Sequence, residues 1–174
     1  METNETLKPS VMSVGLKFGV MLGLISVVFS LVLYVAGINP MDYQWVTNSI
    51  NLVFVVTIVA FAHKNFKDNG NGFMSYGQGL GIGVITAITS MVIAGVYTYL
   101  YFNYINPSAF EDIWEKAAAD MEAKGQDEQA IKMGMEWGRK LFWPFFIIGG
   151  IFWGFIVALI VSIFTQKKEP ETAF

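Results

Sequence analysis

A run with no charged residue occupies positions 141–164 and reads LFWPFFIIGGIFWGFIVALIVSIF. A helix of this length crosses the hydrocarbon core of a bilayer, which is about 30 Å thick and needs about 20 apolar residues. Further runs of this kind lie at about 14–36, 43–62 and 79–102. Each run must satisfy its own backbone hydrogen bonds in lipid, and none alternates apolar with polar residues. The sequence therefore predicts an all-α, polytopic membrane protein with four transmembrane helices, forming a single membrane domain over residues 1–174.

The composition excludes several classes of function. Charged residues make up 14% of the chain and the formal net charge is −3, so no basic surplus exists to hold nucleic acid. The chain has no cysteine and one histidine, His63, which excludes thiolate zinc sites, iron–sulfur clusters and bis-histidine haem. His63 ends the second run, where we interpret it as an interfacial residue rather than a proton relay. We predict no catalytic, cofactor-binding or metal-binding residues, and no enzyme activity.

Small residues recur every four positions in the first, third and fourth runs, which places them on one face of each helix. Such ridges allow close backbone approach in lipid, where hydrophobicity itself does not drive helices together. We favour packing within one chain, with a homo-oligomer or a larger complex as the alternative. The ridges are Gly15, Gly19 and Gly23; Gly79, Gly83 and Ala87; and Gly150, Gly154, Ala158 and Ser162.

Two amides, Asn48 and Asn51, lie three residues apart on one face of the second run. Polar side chains within a span can hydrogen-bond a neighbouring helix, at about 1 kcal/mol each. They can also line a small polar path through the membrane. The first interpretation is favoured because the run contains no ionisable partner for them.

The segment at about 103–140 carries most of the charge and predicts a helical hairpin between the third and fourth spans. Asn106 and Pro107 start its first helix, and Gly125 ends it. A second helix is expected from Asp127 through Ala130, Met133 and Trp137 into the fourth span. We expect the hairpin to pack on the bundle or on lipid, and docking of a partner is the less favoured alternative. The apolar face of the first helix comprises Phe110, Ile113, Trp114, Ala117 and Met121.

The distribution of lysines bears on orientation, because four spans place both termini on one side. Arg139 and Lys140 oppose cytoplasmic termini, but the lysines next to the spans on the terminal side outweigh them. We therefore expect cytoplasmic termini and an extracytoplasmic segment at about 103–140. The first run, with Lys17 near its start, is too long for a cleaved signal peptide and is expected to be retained. The lysines that favour this orientation are Lys64, Lys67, Lys167 and Lys168.

The connection between the second and third runs contains GFMSYGQG at residues 72–79. Ser75 is placed to cap the third helix and Gln78 lies in its first turn. Together with Asn106-Pro107 and the helical segment beyond, this stretch resembles the bacterial domain of unknown function family 4199, over about residues 14–168. The family comprises small four-span membrane proteins, mostly from Bacteroidota. The resemblance implies a bacterial inner (cytoplasmic) membrane and carries no activity with it.

Three functional hypotheses follow from these patterns. We favour a non-enzymatic accessory or scaffolding subunit of a membrane complex, with membrane lipid and another membrane protein or a second copy as partners. The alternative is a small transporter or channel for a neutral or lipid-like substrate, formed by one chain or by a homodimer. A membrane enzyme is the least favoured, since no cluster of reactive groups is evident.

Overall fold

The computed structural model describes residues 9–169. The helices are α1 (Val11–Val35), α2 (Gln44–Asp68), α3 (Tyr76–Leu100), α4 (Ser108–Ala123) and α5 (Glu128–Thr165), and a π-helical turn at Tyr101–Ile105 prolongs α3. In the described part of the chain, four helices are long and apolar enough to cross a membrane: α1, α2, α3 with its turn, and α5. The predicted all-α fold with four spans is confirmed. The predicted single domain over 1–174 extends at both ends beyond the described residues.

Two helices extend past the apolar runs that predicted them. The run ending near 62 lies in α2, which continues to Asp68 before Gly72 adopts a φ of +81°, a conformation that suits glycine. The run at 141–164 is the second part of α5, whose 38 residues also include the predicted second loop helix and Pro144. An apolar run marks only the part of a helix that lies in lipid. The helical hydrogen bonds continue beyond it into turns that face water, so the helix is longer than the run.

α3 lies between α1 and α5. Residue numbers at the contacts between α1 and α3 increase in the same direction in both helices, so the two helices run parallel. A β-carbon added to Gly15, Gly19 or Gly23 of α1 would lie 2.5–2.8 Å from the α3 side chain opposite it, closer than atoms pack. Each glycine is therefore required for the helix spacing. The pairs are Gly15 with Ile85, Gly19 with Thr89 and Gly23 with Ile93.

The opposite face of α3 packs antiparallel on α5. A β-carbon on Gly83 would lie 2.5 Å from the Cβ of Ala158, and one on Gly154 would collide with Ala87. Gly79 faces Ser162 in the same way, one turn further along. The ridges of all three helices thus pack inside the chain, as the favoured interpretation expected. A homo-oligomer stays a prediction.

α2 completes the bundle by packing against α1 and α5. We call the end that holds the first and last described residues the termini end, and the other the loop end. At the termini end Met74 and Lys167 exchange two backbone hydrogen bonds of 2.8 and 2.9 Å. The Lys67 ammonium donates to the Thr165 carbonyl at 2.8 Å, which satisfies an otherwise unpaired carbonyl of the last turn of α5. Ser75 caps α3 as predicted, in a reciprocal capping box with Gln78.

The substitution Gly83→Ala tests whether this spacing holds the bundle together. We expect it to lower the free energy of unfolding by about 1–3 kcal/mol, because the added methyl group forces α3 away from α5. Gly95→Ala is the matched control on the same helix: apart from the adjacent residues and backbone of α3 itself, no described atom lies within 4 Å of its β-carbon position. The control should be neutral or slightly stabilising. Thermal unfolding in a mild detergent measures both, and equal midpoints would contradict the role given to Gly83.

Candidate functional site

A cavity of about 790 Å³ lies at the loop end of the bundle. Its walls come from the end of α1, the loop after it, the first turns of α2, the end of α3 with its π-helical turn, the start of α4, and α5. The volume falls in the range of about 300–1,000 Å³ that is usual for small-molecule sites. The lining side chains with polar groups are Ser30, Tyr34, Asn39, Gln44, Asn48, Tyr97, Thr98, Tyr101, Asn106 and Asp112.

Three tyrosines form one wall of this cavity. The Tyr34 hydroxyl donates to the Ile105 carbonyl at 3.3 Å, and the Tyr97 hydroxyl donates to the Ser30 hydroxyl at 3.1 Å. The ring of Tyr101 meets those of Tyr34 and Tyr97 at centroid distances of 5.7 and 5.8 Å. These contacts join the ends of α1 and α3 into one wall.

α4 lies over the cavity, and two ion pairs join it to neighbouring segments of the chain. The Arg139 guanidinium donates two hydrogen bonds to the Glu111 carboxylate, at 2.8 and 2.6 Å. The Lys116 ammonium binds the Asp42 carboxylate at 3.1 Å and the Met41 carbonyl at 3.2 Å. The first pair ties α4 to α5, and the second ties it to the loop between α1 and α2.

Both predicted helices of the 103–140 segment are present, the second as the first part of α5. Gly125 has a φ of +74° and Asp127 caps α5, as expected. All five residues of the predicted α4 face are half-buried. In the second helix Met133 and Trp137 are 54% and 56% exposed. α4 packs on the glycines of α5, with Met121 over Gly134 and Trp114 over Gly138.

The structure separates the two amides of α2. Asn48 lines the cavity. Asn51 donates to the Thr47 carbonyl of its own helix at 2.9 Å, so its interpretation as a link to a neighbouring helix was wrong. A second cavity of about 150 Å³, lined among others by Ser26, Ser90 and Trp153, lies midway along the bundle. The two cavities share no lining residue.

His63 lies at the termini end, far from the cavity walls, and its side chain is fully buried. Its Nε2 is 2.9 Å from the Gly79 carbonyl and must donate, since a carbonyl only accepts. Its Nδ1 is 2.6 Å from the Thr165 hydroxyl, which is also 2.7 Å from the Val161 carbonyl. The hydroxyl can donate to either of these two acceptors. His63 therefore links α2, α3 and α5, a role that the interfacial interpretation missed.

The family model for "Protein of unknown function (DUF4199)" matches residues 17–167. The chain belongs to this family. The match confirms the resemblance seen in the sequence, and it includes every wall of the cavity as well as the His63 network. Comparison of this DUF4199 protein with curated proteins finds no match, and comparison with solved structures finds none either.

The cavity of this DUF4199 protein could not be located from sequence patterns. Its lining comes from the end of one helix, the start of another, a π-helical turn and a covering helix, which are distant along the chain. The available signal was the set of tyrosines at 97–104, which also fits an interfacial aromatic belt. Among the lining residues, Asn48 was noted in the sequence as a candidate for a polar path because it is an amide inside an apolar run. Across residues 9–169 no group of three or more His, Asp or Glu side chains comes together as a metal site would require.

The ion pair of α4 predicts a pH dependence of stability. The hydrogen bonds from Arg139 lower the pKa of the Glu111 carboxyl below its ordinary value of 4.5. A carboxyl with a depressed pKa in the folded state stabilises that state above its unfolded pKa, and the contribution is lost as pH falls through the folded value. Glu111→Gln should therefore lower the unfolding midpoint at pH 7, and the difference from wild type should shrink at pH 3. The control is Glu122→Gln, whose residue forms no ion pair among those described; a difference that persists at pH 3 would contradict the assignment.

Replacing His63 with leucine tests the buried network. We expect His63→Leu to cost about 1–3 kcal/mol of unfolding free energy, because buried hydrogen-bonding groups of Thr165 and Gly79 lose their partner. Lys64→Leu changes the neighbouring, exposed residue and should have a smaller effect. Chemical or thermal unfolding in detergent compares the two, and a His63→Leu protein as stable as wild type would refute the network's structural role.

Proposed function

We propose that this DUF4199 protein is a non-enzymatic accessory or scaffolding subunit of a membrane complex in the inner membrane of a bacterium. The observation that carries the proposal is the exposed apolar face of the first turns of α5. Met133 and Trp137 lie one turn apart and are more than half exposed, while the opposite face of the same helix packs on α4. Two exposed apolar side chains on the face of α5 that α4 leaves uncovered are suited to contact a second protein.

The rigidity of the termini end also supports this proposal. Close contacts of glycine and alanine fill the α3–α5 interface, and His63 adds a buried polar link between three helices. A bundle of this kind presents its outer surfaces in a fixed arrangement. In the proposed orientation the termini are cytoplasmic, and α4 with the start of α5 lies on the extracytoplasmic side.

The second candidate function is transport of a neutral or lipid-like substrate. It is favoured by the cavity at the loop end and by Asn48 in its wall. The two cavities share no lining residue, and close contacts between α3 and α5 lie beside the second one. For this reason the accessory role is the first proposal.

The test is native mass spectrometry of the complex extracted gently from its own membrane, with a C-terminal tag. A stoichiometric partner is expected with the wild-type chain, and the double substitution Met133→Ser with Trp137→Ser should release it. A chain that purifies only as a monomer or homodimer would contradict the accessory role and favour transport.

Trp45→Ser provides the matched control. Trp45 is 89% exposed, lies near the start of α2 at the same end of the bundle, and is equally able to anchor in headgroups. If the face on α5 binds a protein, Trp45→Ser retains the partner while the double substitution loses it. Equal loss in both variants would assign Trp137 to lipid anchoring.

A further inference from the structure

The cavity at the loop end has an unbalanced charge. Asp112 is the only charged residue among its lining residues. The neighbouring cations are engaged elsewhere: Arg139 binds Glu111 and Lys116 binds Asp42. Within residues 9–169 the Asp112 carboxylate has neither an ion pair nor a hydrogen-bond donor. Asp112 is exposed to solvent, so the cavity presents a carboxylate that a ligand can reach and that no cation of the described residues binds.

The tyrosine wall presents aromatic rings and hydroxyl oxygens to a ligand. The hydroxyl protons of Tyr34 and Tyr97 are donated to protein oxygens, as described above. Asn106 donates an amide proton to the Tyr101 hydroxyl oxygen and accepts from Ser108. The Tyr101 hydroxyl keeps its own proton, and the amides of Asn48 and Gln44 can donate as well as accept, so polar groups of both kinds face the cavity. The groups that select a ligand by its charge are the aromatic rings, which attract cations, and the carboxylate of Asp112.

We propose that this cavity binds an organic ammonium group, with Asp112 as its counter-ion and the rings of Tyr34, Tyr97 and Tyr101 as the surface on which it packs. Asn48 and Gln44, whose amides can both donate and accept, are placed to hold the polar remainder of the ligand. Phe102, Phe142 and Phe146 complete the lining and accommodate an apolar part. The ammonium belongs either to a small free amine or to the headgroup of a lipid such as phosphatidylethanolamine. This inference concerns the cavity alone and does not depend on the accessory role.

The first arm of the test uses the full-length protein in neutral maltoside micelles and isothermal titration calorimetry. The probes are phenethylammonium and 2-phenylethanol, which are similar in shape but differ in charge at pH 7. We expect phenethylammonium to bind at least about tenfold more tightly than 2-phenylethanol, because only the ammonium can form an ion pair with Asp112 and cation–π contacts with the tyrosine rings. The second arm places the protein in nanodiscs containing phosphatidylethanolamine and phosphatidylglycerol and counts retained lipids by native mass spectrometry.

The variant pair is Asp112→Asn and Glu115→Gln. Both remove one negative charge from α4, but Glu115 does not line the cavity. Asp112→Asn should abolish the preference for the ammonium or for phosphatidylethanolamine, and Glu115→Gln should retain it. Preference for the free amine identifies a small-molecule site, and enrichment of phosphatidylethanolamine alone identifies a headgroup site; either result supports the proposal.

Two results would overturn the proposal. One is equal binding of amine and alcohol together with no enrichment of phosphatidylethanolamine over phosphatidylglycerol. The other is a preference that Asp112→Asn leaves intact. The comparison of the two probes and of the two lipids is made on the unaltered protein, so a folding defect in Asp112→Asn would not remove the test.

Discussion

Close approach of α3 to both α1 and α5 is the constraint on which the bundle depends. In lipid an apolar side chain gains nothing from leaving its surroundings, so helices associate where their shapes allow many short contacts. α3 meets this requirement on two faces, because α1 presents glycines to it on one side and α3 presents its own small residues to α5 on the other. α2 adds its buried apolar residues, Ile58, Val59 and Ala62, to the assembly that results.

The same constraint explains why the cavity lies at one end. Near the termini end α1 presents glycines to the side chains of α3, whereas at the loop end tyrosines of both helices meet. Rings as large as those of Tyr34, Tyr97 and Tyr101 do not allow the close approach that the α1 glycines permit. The cavity lies beside these tyrosines, and α4, held by the ion pairs of Glu111 and Lys116, contributes part of its wall.

The two ends have different chemistry as a consequence. At the termini end His63 is bonded to Thr165 and Gly79, and Lys67 to the last turn of α5, although the buried hydroxyl of Ser162 has no partner among the described residues. The polar groups of the termini end therefore mainly link helices, whereas at the loop end groups such as Asn48 and Asp112 line an open volume.

The number of spans, their helical form and the ridge positions follow from the sequence alone, because the hydrophobic length and the period of the helix are local properties. The cap at Ser75 and the breaks at Gly72 and Gly125 are local for the same reason. The burial of His63, the bond of Asn51 to its own helix, and the exposure of Met133 and Trp137 depended on which helices became neighbours. That choice rests on side-chain fit between segments far apart in the chain, and the cavity around Asp112 and the three tyrosines exists only once that fit has been made.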